Sequence, residues 1–116
     1  MKVLLIEDDS ELRELLKEQF NEIGCIVSEV SNGRDGFNLL TLENFDLVLS
    51  DVDMPKMDGM EFLKKAMNLN INLPPIYIMS ASSSYSKNDF LSEGASGYFD
   101  KSEQIVSEIF EDLLKV

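Results

Sequence analysis

Two rhythms of apolar residues alternate along this chain. Short runs rich in β-branched residues fall at 3–6, 26–30, 47–49, 76–79 and, less strongly marked, 97–99; each is read as a strand. Apolar residues on consecutive positions suit strands covered on both faces, as in a parallel sheet between two helix layers, and edge strands are expected to alternate more. Between the strands, Leu12, Leu15, Leu16, Phe20 and Ile23 recur at three- and four-residue spacings before Gly24, a stop signal. Asp58 with Glu61 reads as an N-cap and capping-box partner, opening a helix whose apolar face is Met60, Leu63, Ala66 and Met67. A last stripe, Ile105, Val106, Ile109, Phe110, Leu113 and Leu114, closes the chain. The stretches 34–42 and 87–93 carry weaker helical periodicity beside Gly33, Gly36 and Gly94. Repeated βα units of roughly 20 to 25 residues predict an α/β fold, a doubly wound sheet of five parallel strands in the order 2-1-3-4-5 with helices on both faces.

Composition narrows what such a fold can do. The 116 residues fit one domain, spanning residues 1–116, and 44% hydrophobic with 28% charged residues is a globular profile. Twenty-two acidic against ten basic residues give a net charge of −12, whose field repels phosphate backbones and anionic lipid. Direct nucleic-acid and membrane partners are therefore not expected. The apolar run after Lys2 ends at Glu7, too short for a signal peptide, and no transmembrane stretch appears. A single cysteine, Cys25, excludes an internal disulfide and a Cys-x-x-Cys site, fits a cytoplasmic setting, and reads as a small core residue. Histidine is absent, which excludes serine–histidine triads and phosphohistidine relays on this chain.

In an open α/β sheet, ligands bind outside the carboxyl ends of the strands, where the strand order reverses. There the sequence places Glu7-Asp8-Asp9 after the first strand and Asp51-Val52-Asp53 after the third. Two unit charges about 4 Å apart repel by on the order of 4 kcal/mol at an effective dielectric near 20, so protonation or a cation must intervene. A hard divalent ion fits, and Mg²⁺ is preferred to calcium because few protein oxygens are supplied. Asp9 and Ser10 read as capping residues of the first helix. For Glu7 and Asp8 the capping and metal-binding readings are balanced, and the second acidic cluster favours metal. Ser80 ends the fourth strand and Lys101 follows the fifth, bringing a hydroxyl and an ammonium to the same crevice, where both can hold phosphoryl oxygens.

The segments Leu5-Ile6-Glu7-Asp8-Asp9, Leu47 through Gly59, Ile78-Met79-Ser80-Ala81 and Gly94 through Lys101 together resemble the receiver domain of two-component response regulators, a flavodoxin-like fold. That family is itself a known example of the 2-1-3-4-5 order. The resemblance implies that Asp51 is the phosphoacceptor, taking a phosphoryl group from the phosphohistidine of a partner histidine kinase or phosphotransfer protein. It implies that Glu7, Asp8 and Asp51 hold Mg²⁺ with the backbone carbonyl of Asp53, and that Lys101 and Ser80 receive the phosphoryl group. Movement of Ser80 would let Tyr98 turn inward and alter the surface of the fourth helix, fifth strand and fifth helix, where a downstream target, an output domain or a second copy would dock. Such a domain is a switch and not a turnover enzyme. Two residues depart from the pattern. Ser102 stands where most of the family has a proline preceded by a cis peptide, and a non-proline cis bond costs about 2.5 to 4 kcal/mol. Asp53 adds a negative side chain beside the metal site.

Three other readings compete. Asp51-Val52-Asp53 also resembles the nucleophile motif of haloacid-dehalogenase-type phosphatases, but two βα units precede it here. A calcium loop starting at Asp51 would need a glutamate where Phe62 stands. A phosphorylation-independent interaction module would keep the fold and use the acidic cluster only as surface charge.

Overall fold

The three central strands of the sheet are largely apolar runs buried on both faces. The structure, a computed structural model, describes residues 1–81, 84–102 and 104–115. In chain order the elements are β1 (Lys2–Ile6), α1 (Ser10–Glu22), β2 (Ile26–Val30), α2 (Gly33–Leu42), β3 (Leu47–Asp51), α3 (Gly59–Met67), β4 (Ile76–Ser80), α4 (Lys87–Ser92), β5 (Gly97–Asp100) and α5 (Ile105–Leu113). All strand pairs are parallel and the order is β2-β1-β3-β4-β5, as expected from the sequence.

Side chains alternate across a strand, so one apolar run feeds two cores. Leu4, Ile6, Val48, Ile76 and Ile78 pack with Leu40 of α2, Phe62 and Leu63 of α3 and Phe90 of α4. Val3, Leu5, Leu47, Leu49 and Met79 face the other way, onto Leu16 and Phe20 of α1 and Ile105 and Ile109 of α5. Val3, Leu4, Leu5 and Ile6 are fully buried, each contributing roughly 1.5 to 3 kcal/mol of transfer free energy. Cys25 lies in the second core, as read from the sequence.

The termini of α1 obey local chemistry. Asp9 is its N-cap, with Oδ1 accepting the amides of Glu11 at 3.0 Å and Leu12 at 3.3 Å, and Ser10 is its first residue. After the helix, Gly24 adopts φ +88°, a left-handed conformation that favours glycine.

Four expectations need correction. Leu15 and Ile23 belong to the helical repeat of α1 but are exposed, because the sheet contacts a stripe narrower than the repeat. Edge strand β2 does not alternate: after exposed Ile26 its residues are all half-buried, since helices cover both faces and only the lateral edge is open. Asp58 caps α3 by accepting the Glu61 amide at 2.8 Å, but no reciprocal bond from the Glu61 side chain is formed among the described residues. The full capping box is instead at α4, between Ser86 and Asp89. Finally, β3 runs two residues further than expected and β4 and β5 one each, so Asp51 and Ser80 are the last residues of their strands.

Candidate functional site

The register of the sheet assembles the crevice. Ile6 pairs with Ser50, so Glu7, next after β1, comes alongside Asp51 at the end of β3. Ser80 ends β4 opposite Asp100, and Lys101 follows β5 with its amide donating to the Ser80 carbonyl at 3.0 Å. The Asp51 backbone is held locally: Ser50 Oγ donates to the Asp51 carbonyl at 2.9 Å, and the Val52 amide donates to Asp51 Oδ1 at 2.8 Å. Gly59 folds the loop back against it. Its amide donates to the Val52 carbonyl at 2.7 Å, and a Cβ at this position would lie 2.5 Å from the Asp51 carbonyl oxygen.

Glu7 is fully buried and Asp51 is 3% exposed. Lys101 Nζ lies between them, 2.7 Å from Glu7 Oε1 and 3.1 Å from Asp51 Oδ2. Its reach does not depend on proline: no cis peptide occurs among the described residues, and Ser102 Oγ accepts the Gln104 amide at 3.2 Å ahead of α5. One lysine cannot neutralise two buried carboxylates. Burial first, and the Asp51 carboxylate beside it, push the Glu7 carboxyl up to about 8, against the opposing pull of Lys101. Lys101 is lowered by its own burial, but Glu7 and Asp51 outweigh this and leave its pKa raised.

Of the residues singled out from the sequence, Glu7, Asp8, Asp51, Ser80 and Lys101 converge at this end of the sheet. Ligand oxygens of Glu7, Asp8 and Asp51 lie within 4.8 Å of one another. Three hard oxygen donors and no nitrogen or sulfur suit a small divalent cation that keeps open coordination positions. Ser80 Oγ is buried and has no hydrogen-bond partner among the described residues, an orphan that a phosphoryl oxygen would satisfy. The carboxylate of Asp53 is exposed and is not part of the cluster. Phe62, where a calcium loop would need its glutamate, is fully buried in the core. Tyr98 lies on β5 away from the cluster, half-buried and stacked on Phe90 with ring centroids 5.4 Å apart. Ser50 was not singled out from the sequence, because a serine bonding to nearby backbone has no distinctive spacing. No helix among the described residues is long and apolar enough to cross a membrane.

A doubly wound parallel sheet with an acidic crevice at its switch point defines the class, and comparison with known proteins agrees. Residues 3–111 match the response regulator receiver domain family. Sporulation initiation phosphotransferase F of Bacillus subtilis (strain 168) is 37% identical over 92 residues, covering 79% of this chain and 71% of that protein. Transcriptional regulatory protein CrdR of Helicobacter pylori is 34% identical over 101 residues, covering 86% of this chain and 47% of that protein, so the chain spans about half the length of this relative. Among solved structures, the response regulator protein TrrA of Thermotoga maritima, in complex with Mg²⁺-BeF, superposes with a TM-score of 0.84 at 28% identity, covering 97% of this chain and 98% of that one. The chain belongs to the response regulator receiver domain family of two-component systems.

Proposed function

We propose that residues 1–116 form one cytoplasmic receiver domain in which Asp51 accepts a phosphoryl group from a phosphohistidine on a histidine kinase or histidine phosphotransfer protein. The observation that carries this reading is the buried Asp51 carboxylate, held 3.1 Å from Lys101 Nζ beside Glu7 and Asp8, with the orphan hydroxyl of Ser80 at the end of the neighbouring strand. An Asp51 oxygen attacks phosphorus; the P–O bond forms as the P–N bond breaks, and the imidazole leaves with the donor. These 116 residues contain no histidine, so the donor histidine lies outside them. Lys101 and Ser80 then bind the oxygens of the transferred group. Glu7, Asp8, Asp51 and the Asp53 carbonyl are the ligands for Mg²⁺, a metal supported by the complex of TrrA. When bound, the ion offsets charge on the phosphoryl oxygens.

The same atoms carry the signal. Ser80 moves toward the phosphoryl group, Tyr98 leaves its stack on Phe90 and turns inward, and the face formed by α4, β5 and α5 changes for a downstream protein, an output domain or a second copy. Such a domain is phosphorylated once per cycle and does not turn over substrate. The exposed position of Asp53 weighs against a phosphatase in which this residue is the general acid.

Intact-protein mass spectrometry after incubation with acetyl phosphate, and separately with a phosphohistidine donor, tests the reading. One phosphoryl mass is expected with Mg²⁺ and none with a chelator. No adduct from either donor would leave a phosphorylation-independent interaction module.

A further inference from the structure

The two adjacent carboxylates of the crevice, Glu7 and Asp8, are joined by a single peptide, and that peptide is restrained through both its N–H and its C=O. The peptide before it is tied to the end of β2, the Glu7 amide donating to the Val30 carbonyl at 3.1 Å. The Asp8 amide donates to Glu7 Oε2 at 3.1 Å. The restraint on the C=O of the Glu7–Asp8 peptide comes from α1: Arg13 Nη1 donates to the Glu7 carbonyl at 2.9 Å across a part-buried contact. Arg13 is itself well placed to hold that position. Its amide closes the first turn of α1 on the Asp9 carbonyl at 2.9 Å, and its Nε lies 3.8 Å from Glu29 Oε1 on β2. Lys17 Nζ, one turn further along α1, reaches the other oxygen of Glu29 at 3.3 Å.

We propose that Arg13 is a positioning residue for the metal site: by holding the Glu7 carbonyl it fixes the plane of the Glu7–Asp8 peptide, so that both carboxylates face Asp51. The inference rests on the metal-binding reading above and assigns a role to a residue outside the ligand set. Glu7 is fully buried and already oriented by Lys101, whereas Asp8 is exposed and, among the described residues, has no ion-pair partner to orient its side chain. Rotation of that peptide would swing Asp8 away and leave two carboxylates where three converge. Partners that orient ligands from outside a metal's own coordination shell commonly set affinity in this way.

The sign of the effect separates positioning from charge. Arg13 is a cation close to a divalent-cation site, so electrostatics alone predicts that removing it tightens Mg²⁺ binding. Positioning predicts the reverse.

Mg²⁺ affinity is read by isothermal titration calorimetry on wild type, Arg13→Ala and Arg13→Lys, with Asp8→Asn as the reference for a lost ligand. Arg13→Ala should bind Mg²⁺ about tenfold more weakly, and Arg13→Lys, whose ammonium can still donate to the carbonyl, should recover most of that loss. Far-UV circular dichroism establishes that the variants are folded; if Arg13→Ala is not, Arg13→Gln, which is too short to reach the carbonyl, should show the same weakening. Unchanged or tighter binding in the folded variant overturns the positioning role while leaving the metal site intact. Absence of Mg²⁺ binding by wild type overturns the metal reading and this inference together.

Discussion

On the α1/α5 side of the sheet, Tyr77 lies over Gly97, stacks on Phe99, and sends its hydroxyl 2.6 Å to Asp112 of α5. At the carboxyl end of the same sheet, Glu7, Asp51 and Ser80 are as deeply buried as Tyr77. Both regions raise the pKa of a buried acid, Tyr77 through burial and Asp112, Glu7 through burial and Asp51. The difference lies in the matching of donors to acceptors. Tyr77 has one donor and Asp112 takes it, which pins α5 to β4 across 35 residues of sequence. The crevice has three carboxylates, one lysine and an orphan hydroxyl. A completed pair stabilises a fold, whereas an incomplete set is stabilised further by whatever supplies the missing charge and acceptors.

The largest consequence should be a pH dependence confined to the crevice. Glu7 rises from its ordinary value of 4.5 to about 8 in the metal-free protein. Its folded state holds the proton more tightly than the unfolded chain, so its contribution is complete below pH 4.5 and is lost as pH rises toward 8. Stability against urea should fall with a slope of up to about 1.4 kcal/mol per pH unit across that window. Glu7→Gln should remove the slope. Mg²⁺ should oppose it, since binding requires the carboxylate and releases its proton. A flat profile for the metal-free wild type would show that the crevice is not short of charge.

Breaking the completed pair should cost less and leave phosphorylation alone. Tyr77→Phe removes the donor to half-buried Asp112, and a hydrogen bond to a charged acceptor is worth about 1.5 kcal/mol or somewhat more. Urea unfolding measures the loss, and the acetyl phosphate reaction should proceed at the wild-type rate. Ser80→Ala should be the mildest for stability. It deletes a hydroxyl that has no partner among the described residues, so stability should stay within about 0.5 kcal/mol of wild type or rise slightly, while the phosphorylation rate falls. A large stability loss would mean that Ser80 is a structural residue like Tyr77.

The sequence carries these two regions unequally. Strands β1, β3 and β4 are legible because a parallel sheet covered on both faces must be apolar on consecutive residues, and that leaves Asp51 and Ser80 conspicuous at their ends. The convergence of Glu7, Asp51 and Lys101 follows once the strand order is set. Contacts between distant segments leave no such trace. Nothing in the spacing of Tyr77 and Asp112, or of Arg13 and the Glu7 carbonyl, marks them as partners, because helix placement over the sheet decides both. The same placement exposes Leu15 and Ile23 despite their helical period. Local competition hides the rest: Ser86 and Asp89 form the full capping box expected of Asp58 and Glu61, although both pairs have the same spacing.

The most direct test is to locate the phosphoryl group. Phosphorylated protein is treated with borohydride, which reduces an acyl phosphate to an alcohol and so converts the modified aspartate to homoserine, and peptides are then mapped by mass spectrometry. Homoserine at position 51, absent without Mg²⁺ and absent in Asp51→Asn, is the predicted result. Reduction at Glu7, Asp8 or Asp53 instead, or an adduct that persists in Asp51→Asn, would contradict the assignment of the crevice.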